Sequence, residues 1–379
     1  MLKSEIHPQM HLNQPIRRSN ISVTKEERVR ANLLIELSKP RREESVLSLC
    51  CGMGFVAVKL SGFLDKAPKI ADINLANVNS IKKLVTEYKS NERIKVCSLK
   101  DLGEKFDLIF LQQPFFGGKA LMRELLINAN DHLKLGGRIY LISTKREGAA
   151  YHNKLVESVF GNKERFRSGK YFLLTAKKEK EIRIPSIEEH KIEISLLGIP
   201  FIFYSRPGLF SKSEIDLGTC LLINNMKISE NDTVLDFGCG YGPIGIVAAK
   251  FAKKGTVLMV DSNSRAIELA KKNIKQNKIE NAEAIESDGF SMLRGMQFNV
   301  IVSNPPSHTL QNKLRLILGD ALNALKKNGR MYLVVQKSLV GRYKRLLNSV
   351  STQNYVENIA EGTEHVVLLV KLTAQPQSQ

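Results

Sequence analysis

Polar groups in the second half of the chain have the types and spacing of a site that binds a charged ligand and orients an amine. Asp236 lies in a glycine-rich stretch, where a carboxylate favours a ligand with a positive amino group. Asp261 ends an apolar run, where its carboxylate could accept hydrogen bonds from both hydroxyls of a ribose. Asn304 Oδ1 and the carbonyl of Pro305 could accept the two hydrogens of a planar amine and so aim the lone pair of its nitrogen. The rigid ring of Pro306 would help to hold these acceptors still.

The stretch around Asp236 predicts a buried strand, a tight turn and a helix in immediate succession. Apolar residues precede Asp236, and the apolar run that follows Gly245 is typical of a helix packed on a sheet. Three glycines of the turn would let the backbone approach a ligand closely: Gly238, Gly240 and Gly242. A cofactor is therefore expected on this turn, although a glycine-rich turn alone serves many chemistries.

From Thr233 onward, predicted strands and helices alternate in the pattern of a doubly wound parallel sheet. The predicted strands are 233–237, 256–261, 282–286, 298–302, 331–335 and 364–372, and the predicted helices are 243–253, 264–276, 310–326 and 339–349. A hairpin is predicted before them, with strands at 191–195 and 201–204. Ligands of such sheets bind beyond the carboxyl ends of the strands, where Asp288 falls together with the side chains above.

In combination, these motifs resemble those of class I S-adenosylmethionine-dependent methyltransferases that modify amino groups on planar amides or bases. The resemblance is carried, in order along the chain, by residues 236–242, Asp261, Asp288 and residues 304–306. The segment before the glycine turn, residues 206–219, resembles the corresponding segment of tandem ribosomal RNA guanine-N2 methyltransferases of the small-subunit type. It is also similar to that segment in compact archaeal relatives with a single domain.

The resemblance implies S-adenosylmethionine as the cofactor and a set of residues that hold it. These are Asp236, Gly238, Gly240, Gly242, Asp261, Thr219 and Asp288, the last as the acid that contacts the adenine. The catalytic residues that it implies are Asn304, Pro305 and Pro306. One departure is Ser307, because the family places Phe or Tyr there to stack on the target base. Residues that could supply the stacking instead are His308, Phe210, Tyr241 and Phe290.

The charge of the chain indicates an acidic partner. Lys and Arg number 57 against 38 Asp and Glu in 379 residues, and nucleic acid is the simplest partner for the resulting net charge of +19. Candidate RNA-binding residues near the pocket are Lys337, Arg342, Arg345 and His308. If the target lies in structured RNA, its base must be turned out of the stack to reach Asn304.

Cysteine usage and the apolar runs bear on location. The five cysteines are odd in number and lack the spacing of metal ligands, so neither a disulfide framework nor a zinc site is expected. The chain opens without the apolar segment of a signal peptide, and no apolar run reaches the ~18 residues of a membrane helix. We therefore expect a cytoplasmic protein with no membrane partner.

The first half of the chain repeats the landmarks of the second half about 190 residues earlier. Residues 45–54 resemble the later glycine turn, residues 71–74 parallel 260–263, residues 106–115 parallel 298–307, and residues 135–140 match 327–332. Two copies of one fold are expected, as domains of residues 1–184 and 185–379.

The copies differ at the positions that would carry chemistry. Ser48 stands in the place of Asp236, Cys50 in that of Gly238, Gln112 in that of Asn304 and Gln113 in that of Pro305. Ser48 offers no charge to an amino group, and Cys50 places a side chain where a glycine leaves room. The first copy is therefore expected to have lost the cofactor and to serve as a scaffold and a basic surface for RNA.

The predicted fold class is α/β, with two tandem Rossmann-like methyltransferase domains, each a doubly wound and mainly parallel sheet, of which the first is degenerate. The implied function is methylation of the exocyclic N2 amine of a guanine in RNA, with ribosomal RNA or a ribosomal subunit particle as the expected partner. Two alternatives stay open. The Asn-Pro-Pro arrangement also suits the amide of a protein glutamine, and Ser307 leaves room for a non-catalytic RNA-binding assembly factor.

Overall fold

The computed structural model describes residues 24–50, 54–87, 93–112, 118–181, 189–206, 209, 214–305, 310–351 and 354–372. The chain divides into two compact units, one of Met1–Asp72 with Asn77–Ser186 and one of Ile73–Ala76 with Ile187–Gln379. The domain boundary predicted between residues 184 and 185 lies in the segment 182–188, outside the described residues. Within the described ranges, no helix is both long enough and apolar enough to cross a membrane.

The first unit contains a seven-stranded sheet. Its strands are β1 (Val46–Leu49), β2 (Lys69–Asp72), β3 (Lys95–Ser98), β4 (Phe106–Gln112), β5 (Leu133–Thr144), β6 (Glu164–Ser168) and β7 (Tyr171–Lys177). Its helices are α1 (Lys25–Ser38), α2 (Phe55–Leu60), α3 (Leu75–Glu87), α4 (Gly118–Asp131) and α5 (Ala149–Phe160). The strand order is β3-β2-β1-β4-β5-β7-β6, parallel from β3 to β5 and antiparallel from β5 to β6.

The second unit begins with a hairpin of β8 (His190–Leu196) and β9 (Ile199–Ser205). Its main strands are β10 (Thr233–Phe237), β11 (Thr256–Asp261), β12 (Ala282–Glu286), β13 (Phe298–Ser303), β14 (Leu325–Gln336), β15 (Asn354–Glu361) and β16 (His365–Leu372). Its helices are α6 (Leu217–Asn225), α7 (Pro243–Phe251), α8 (Ser264–Gln276), α9 (Gln311–Asn323) and α10 (Val340–Val350). The order β12-β11-β10-β13-β14-β16-β15 repeats that of the first unit strand for strand.

This repeated order confirms the predicted α/β fold with two tandem, mainly parallel sheets. The strands predicted at 233–237, 256–261 and 282–286 have the predicted bounds. Several other predicted bounds are wrong by one or two residues, and two are wrong by more. The helix predicted to reach residue 326 ends at Asn323, and the strand predicted from residue 331 begins at Leu325. The edge strand β15 was not predicted, since its polar residues lack the apolar run of a buried strand.

Each unit has an ion pair between an arginine and an acidic residue at the equivalent place in its own sheet. In the first unit, Arg138 of β5 binds the buried carboxylate of Glu44 with 2.5 Å between Nη1 and Oε1. In the second unit, Arg330 of β14 binds Asp232 with 2.6 Å between Nη2 and Oδ2. Each pair ties the long fifth strand of its unit to an acidic residue that lies close before the central strand. The framework of the fold is therefore duplicated down to individual side chains.

Asparagines of α8 hold the hairpin and the glycine turn in place. Asn273 Oδ1 accepts a hydrogen bond from Tyr204 N at 2.7 Å, and its Nδ2 donates to Tyr204 O at 2.9 Å and Tyr241 O at 2.8 Å. One helical turn later, Asn277 makes the equivalent pair of bonds with Ile202 N and O. The two amides bond the edge of β9 as a neighbouring strand would, and Asn273 links that edge to the turn that follows β10.

Candidate functional site

Asp236 places a buried carboxylate near the carboxyl end of the central strand β10. The residue is 0% exposed, and its Oδ2 accepts a hydrogen bond from Gly245 N at 2.7 Å. Its Oδ1 is buried and has no hydrogen-bond partner among the described residues. Burial raises the pKa of Asp236 to about 7, with a further contribution from the charge of Asp261. A buried acceptor without a partner fits a ligand that brings its own ammonium group.

The glycine turn after β10 is held against the end of β11. Gly238 and Gly240 have φ of 73° and 56°, a left-handed conformation that glycine adopts without strain. No heavy atom beyond their chain neighbours lies within 4 Å of a Cβ built at either one, so their far side is open. Gly240 N donates to Asp261 Oδ2 at 3.0 Å, and Gly238 N donates to Val260 O at 2.8 Å. The turn therefore brings its backbone and the Asp261 carboxylate to one place.

Helix α7 starts directly after Gly242, which also has a left-handed φ of 94°. Gly245, in the first turn of α7, packs too closely on the sheet for any side chain. A Cβ there would lie 2.4 Å from Met259 Sδ and 2.9 Å from Asp236 Oδ2. This close approach allows Gly245 N to reach the Asp236 carboxylate.

Asn304 lies one residue beyond β13. This strand pairs with β10 on the side opposite to β11. Its Nδ2 donates to Asp216 Oδ2 at 3.1 Å and to Thr219 Oγ1 at 3.0 Å. Asp216 is the N-cap of α6, so the first turn of this helix meets the end of β13 through these bonds. Pro305 follows Asn304 within the described residues. The predicted site residues Pro306 and His308, together with Ser307, lie outside them.

Asp288 follows β12 and lines a cleft of about 560 Å³ between the 288–297 loop and α9. Phe290 also lines this cleft and stacks on Phe237 at the end of β10, with ring centroids 4.8 Å apart. The stacking joins the loop after β12, which carries Asp288, to the last residue of β10. Phe210, the other phenylalanine considered for stacking, lies outside the described residues.

The cations predicted to bind RNA follow β14. Lys337 starts a short 3₁₀ helix after β14 and pairs with Glu361, with 2.6 Å between Nζ and Oε1. Arg342 and Arg345 lie on α10, where Arg345 is exposed and Arg342 is partly buried. The structure therefore places Lys337 at the carboxyl edge of the sheet, and it places both arginines on the next helix.

Sequence reasoning missed Asp216 and Asn273 as residues of the site. Asp216 had a signal in the sequence, because an Asp immediately before the first residue of a helix is a common N-cap. The hydrogen bond between Asp216 and Asn304 had no signal in the sequence, because the two residues are 88 positions apart. Asn273 had no signal either, since an asparagine in the middle of a helix resembles an ordinary solvated residue.

The corresponding place in the first unit is chemically different. Ser48 is fully buried on β1, and its Oγ has no hydrogen-bond partner among the described residues. Cys50 has φ of 47°, in the left-handed region that a glycine occupies more easily. Gln112 ends β4, and Gln113 lies outside the described residues. The hydroxyl of Ser48 supplies no negative charge at the position that Asp236 occupies in the second unit.

A family model described as the methyltransferase small domain matches this chain twice, at residues 27–175 and 200–368. Its two matches fall on the two repeated sheets. Together they cover well over half of the chain.

Several characterised and uncharacterised proteins are similar in sequence. A Bacillus subtilis protein, uncharacterized protein YbxB, is 37% identical over 176 residues, which is 44% of this chain and 88% of that protein. Ribosomal RNA small subunit methyltransferase C of Shewanella amazonensis is 30% identical over 244 residues, 62% of this chain and 70% of the relative. The enzyme of the same name from Psychromonas ingrahamii is 29% identical over 252 residues, 64% of this chain and 70% of the relative.

One solved structure matches the fold over both units. It is the 16S ribosomal RNA N2 G1207 methyltransferase of T. thermophilus in complex with AdoMet and guanosine. The match has a TM-score of 0.76 and covers 90% of this chain and 91% of that one, at 24% identity. The tandem architecture is thus shared with that enzyme.

Proposed function

Because this chain belongs to the methyltransferase small domain family, and within it to the ribosomal RNA small subunit methyltransferase C proteins, we propose that it methylates the exocyclic N2 amine of a guanine in ribosomal RNA. The methyl donor is S-adenosylmethionine. The observation that carries the proposal is the arrangement of Asp236 and Asn304 at the carboxyl ends of two paired strands. Asp236 has one buried oxygen without a hydrogen-bond partner among the described residues, and both hydrogens of Asn304 Nδ2 are engaged.

The residues present fit S-adenosylmethionine, since Asp236 Oδ1 lacks a partner and suits the ammonium group of its methionine part. Asp261 and the open backbone of the glycine turn would hold the ribose, and Asp288 would contact the adenine. When bound, the cofactor supplies an electrophilic methyl group on a sulfonium. Cofactor binding therefore falls to β10, β11 and β12, and the groups that follow β13 are left for the substrate.

The guanine N2 amine is a weak nucleophile, because its lone pair is delocalised into the ring. Asn304 Oδ1 and the Pro305 carbonyl would accept its two hydrogens, so that the lone pair is aimed at the methyl group. As the new N–C bond forms and the S–C bond breaks, the nitrogen becomes acidic and gives up one proton to an acceptor or to water. Positioning rather than a strong base supplies the catalysis.

We further propose that the first unit serves as a scaffold that docks RNA, and edge strand β6 is its best candidate surface. All five residues of β6 are exposed. The guanidinium groups of Arg165 and Arg167 lie over the ring of Phe172, at 5.9 Å and 5.7 Å from its centroid. Neither arginine forms an ion pair with a carboxylate of the described residues, so both charges are available to phosphates.

The docking surface is tested by reversing its charge. Arg165→Glu combined with Arg167→Glu should weaken binding to ribosomal RNA and lower the slope of log K against log salt by about one to two. A matched control is Arg42→Glu with Lys105→Glu, which makes the same charge change at exposed residues already paired with acids. Equal weakening by both pairs would mean that only net charge matters.

The enzymatic proposal is tested by methyl transfer from labelled S-adenosylmethionine to free small-subunit ribosomal RNA, to assembled small subunits and to total protein. Label recovered as N2-methylguanosine supports the proposal, and comparison of the two RNA substrates tells whether the particle is required. Label in protein glutamine would overturn it, as would the absence of label from every substrate. Asn304→Ala should abolish transfer and keep cofactor affinity.

A further inference from the structure

Asp216 makes more hydrogen bonds than an N-cap needs. Its Oδ1 accepts from Gly218 N at 2.8 Å and its Oδ2 from Thr219 N at 3.1 Å, which caps the first turn of α6. The same Oδ2 also accepts from Asn304 Nδ2 at 3.1 Å. The carboxylate therefore joins the start of α6 to the end of β13.

These contacts decide which end of the Asn304 amide faces which way. The two ends of an amide have nearly the same shape, but only the nitrogen donates and only the oxygen accepts. A carboxylate can only accept, so Asp216 Oδ2 requires Nδ2 of Asn304 on its side. Thr219 Oγ1, 3.0 Å from the same nitrogen, accepts the second hydrogen. With both hydrogens of Nδ2 engaged, Oδ1 is the polar atom left to the substrate.

We infer that Asp216 is a positioning residue that locks Asn304 as a hydrogen-bond acceptor toward the substrate and so selects nucleophiles that carry N–H. The inference rests on the proposed transfer to an amine. A rotated amide would offer the substrate a donor, which suits the carbonyl oxygen of a base and repels an amine. Asp216 excludes that rotamer, because it would set Asn304 Oδ1 against a carboxylate.

Asp216→Asn separates this role from helix capping. Asn caps helices about as well as Asp, so α6 should still begin at Leu217 and the thermal midpoint should change little. The new amide has a single acceptor oxygen for three donors, Gly218 N, Thr219 N and Asn304 Nδ2. Whenever that oxygen serves Gly218 N, the new nitrogen faces Asn304 Nδ2, donor against donor. We expect kcat to fall about 100-fold, as for a misplaced catalytic contact, with little change in the Kd for S-adenosylmethionine.

A polarity swap gives the decisive comparison. Asn304→Asp alone sets two carboxylates against each other and should also be slow. Asp216→Asn combined with Asn304→Asp restores one donor facing one acceptor, with the roles exchanged, and still offers the substrate an acceptor. The double variant should be at least about tenfold faster than either single variant, since contacting partners couple strongly. If the fold-losses in kcat of the two single variants simply multiply in the double variant, the inference is wrong.

Two further variants guard against loss of fold. Thr219→Val keeps Asp216 as the N-cap of α6 and removes one of the two acceptors of Asn304 Nδ2. It should lower kcat about fivefold, as expected for the loss of one neutral hydrogen bond. Thr24→Ala removes the side-chain cap of α1, where Thr24 Oγ1 accepts from Glu27 N at 3.2 Å, and should leave kcat unchanged. An unchanged kcat in Thr219→Val, or an equal loss in Thr24→Ala, would contradict the role of Asp216.

A spectroscopic test keeps the inference separate from the proposed reaction. In the full chain labelled with ¹⁵N, the Asn304 side-chain amide is assigned by its absence in Asn304→Ala. Both of its protons should exchange slowly with water, and exchange should accelerate at least about tenfold in Asp216→Ala, since a partly buried bond to a charged group is lost. Fast exchange in the wild-type protein would overturn the locked amide, whichever substrate the protein methylates.

Discussion

Replacing Asp236 by Asn removes a buried charge with almost no change in side-chain shape, and the structure predicts how ligand binding should then depend on pH. Burial raises the pKa of Asp236 to about 7 from a reference value of 3.8, although Gly245 N donates to the carboxylate. The gap of roughly three pH units corresponds to about 4 kcal/mol, at ~1.4 kcal/mol per unit. This is the free-energy cost of keeping the group ionised in the cofactor-free protein at high pH.

The sign of the pH effect differs between binding and folding. An ammonium group binds the ionised carboxylate, so binding below pH 7 must first remove a proton from Asp236. The Kd for S-adenosylmethionine should rise up to about tenfold for each pH unit below about 7. The folded-state pKa lies above the unfolded one, so the contribution of Asp236 to stability is full below about pH 4 and is lost as the pH rises to about 7.

Calorimetric titration with S-adenosylmethionine between about pH 5.5 and 8 measures this slope. Asp236→Asn should bind about 10- to 100-fold more weakly at pH 8, because it loses a charge-assisted hydrogen bond worth ~1.5–3 kcal/mol, and its Kd should depend less steeply on pH. Asp232→Asn is the control, since this acid pairs with Arg330 at the other end of β10 and its loss should leave the slope intact. A flat wild-type profile, or the same slope in Asp236→Asn, would refute the reasoning.

Three other substitutions test the framework and the cofactor site. Asp261→Ala removes the acceptor of Gly240 N and should raise the Kd for S-adenosylmethionine at least about tenfold by calorimetry, with ribosomal RNA binding unchanged as the control. Gly245→Ala places a Cβ 2.4 Å from Met259 Sδ and should lower stability by about 1–3 kcal/mol in denaturant titration, while a fully stable variant would contradict the packing described here. Arg330→Ala leaves the mostly buried Asp232 without its cation and should lower the thermal midpoint of unfolding, an effect that high salt should not reproduce in the wild-type protein.

The central strands could be predicted from the sequence because their signals are local. β10, β11 and β13 are apolar runs that end in polar residues or glycines, and each is buried in the sheet. The edge strand β15 has exposed polar residues on a short segment, and its partner β16 rather than its own composition makes it a strand. Helix α6 was not predicted, because its apolar and polar residues do not separate into two distinct faces.

The candidate site could be predicted only as far as single positions. The sequence predicted Asp236, Asp261 and Asn304 at the carboxyl ends of parallel strands. In the structure Asp236 and Asp261 lie in the last residues of β10 and β11, and Asn304 directly follows β13. Contacts across long stretches of chain have no local signature. The bond from Asn304 to Asp216, and the stacking of Phe237 on Phe290, depend on how α6 and the loop after β12 fold back on the sheet.

The two copies of the fold show what the cofactor site costs the protein. Both copies keep an ion pair between an arginine of the fifth strand and an acidic residue, Arg138 with Glu44 and Arg330 with Asp232. This part of the framework therefore does not distinguish the two copies. They differ at the central strand, where Ser48 is buried as a neutral hydroxyl and Asp236 as a carboxyl group with a pKa of about 7. An unpartnered hydroxyl costs about 1–3 kcal/mol, less than the roughly 4 kcal/mol needed to ionise Asp236 without a ligand. The first copy is thereby relieved of a strain that only a bound ammonium group can offset, which is the physical reason to expect a scaffold there and catalysis in the second.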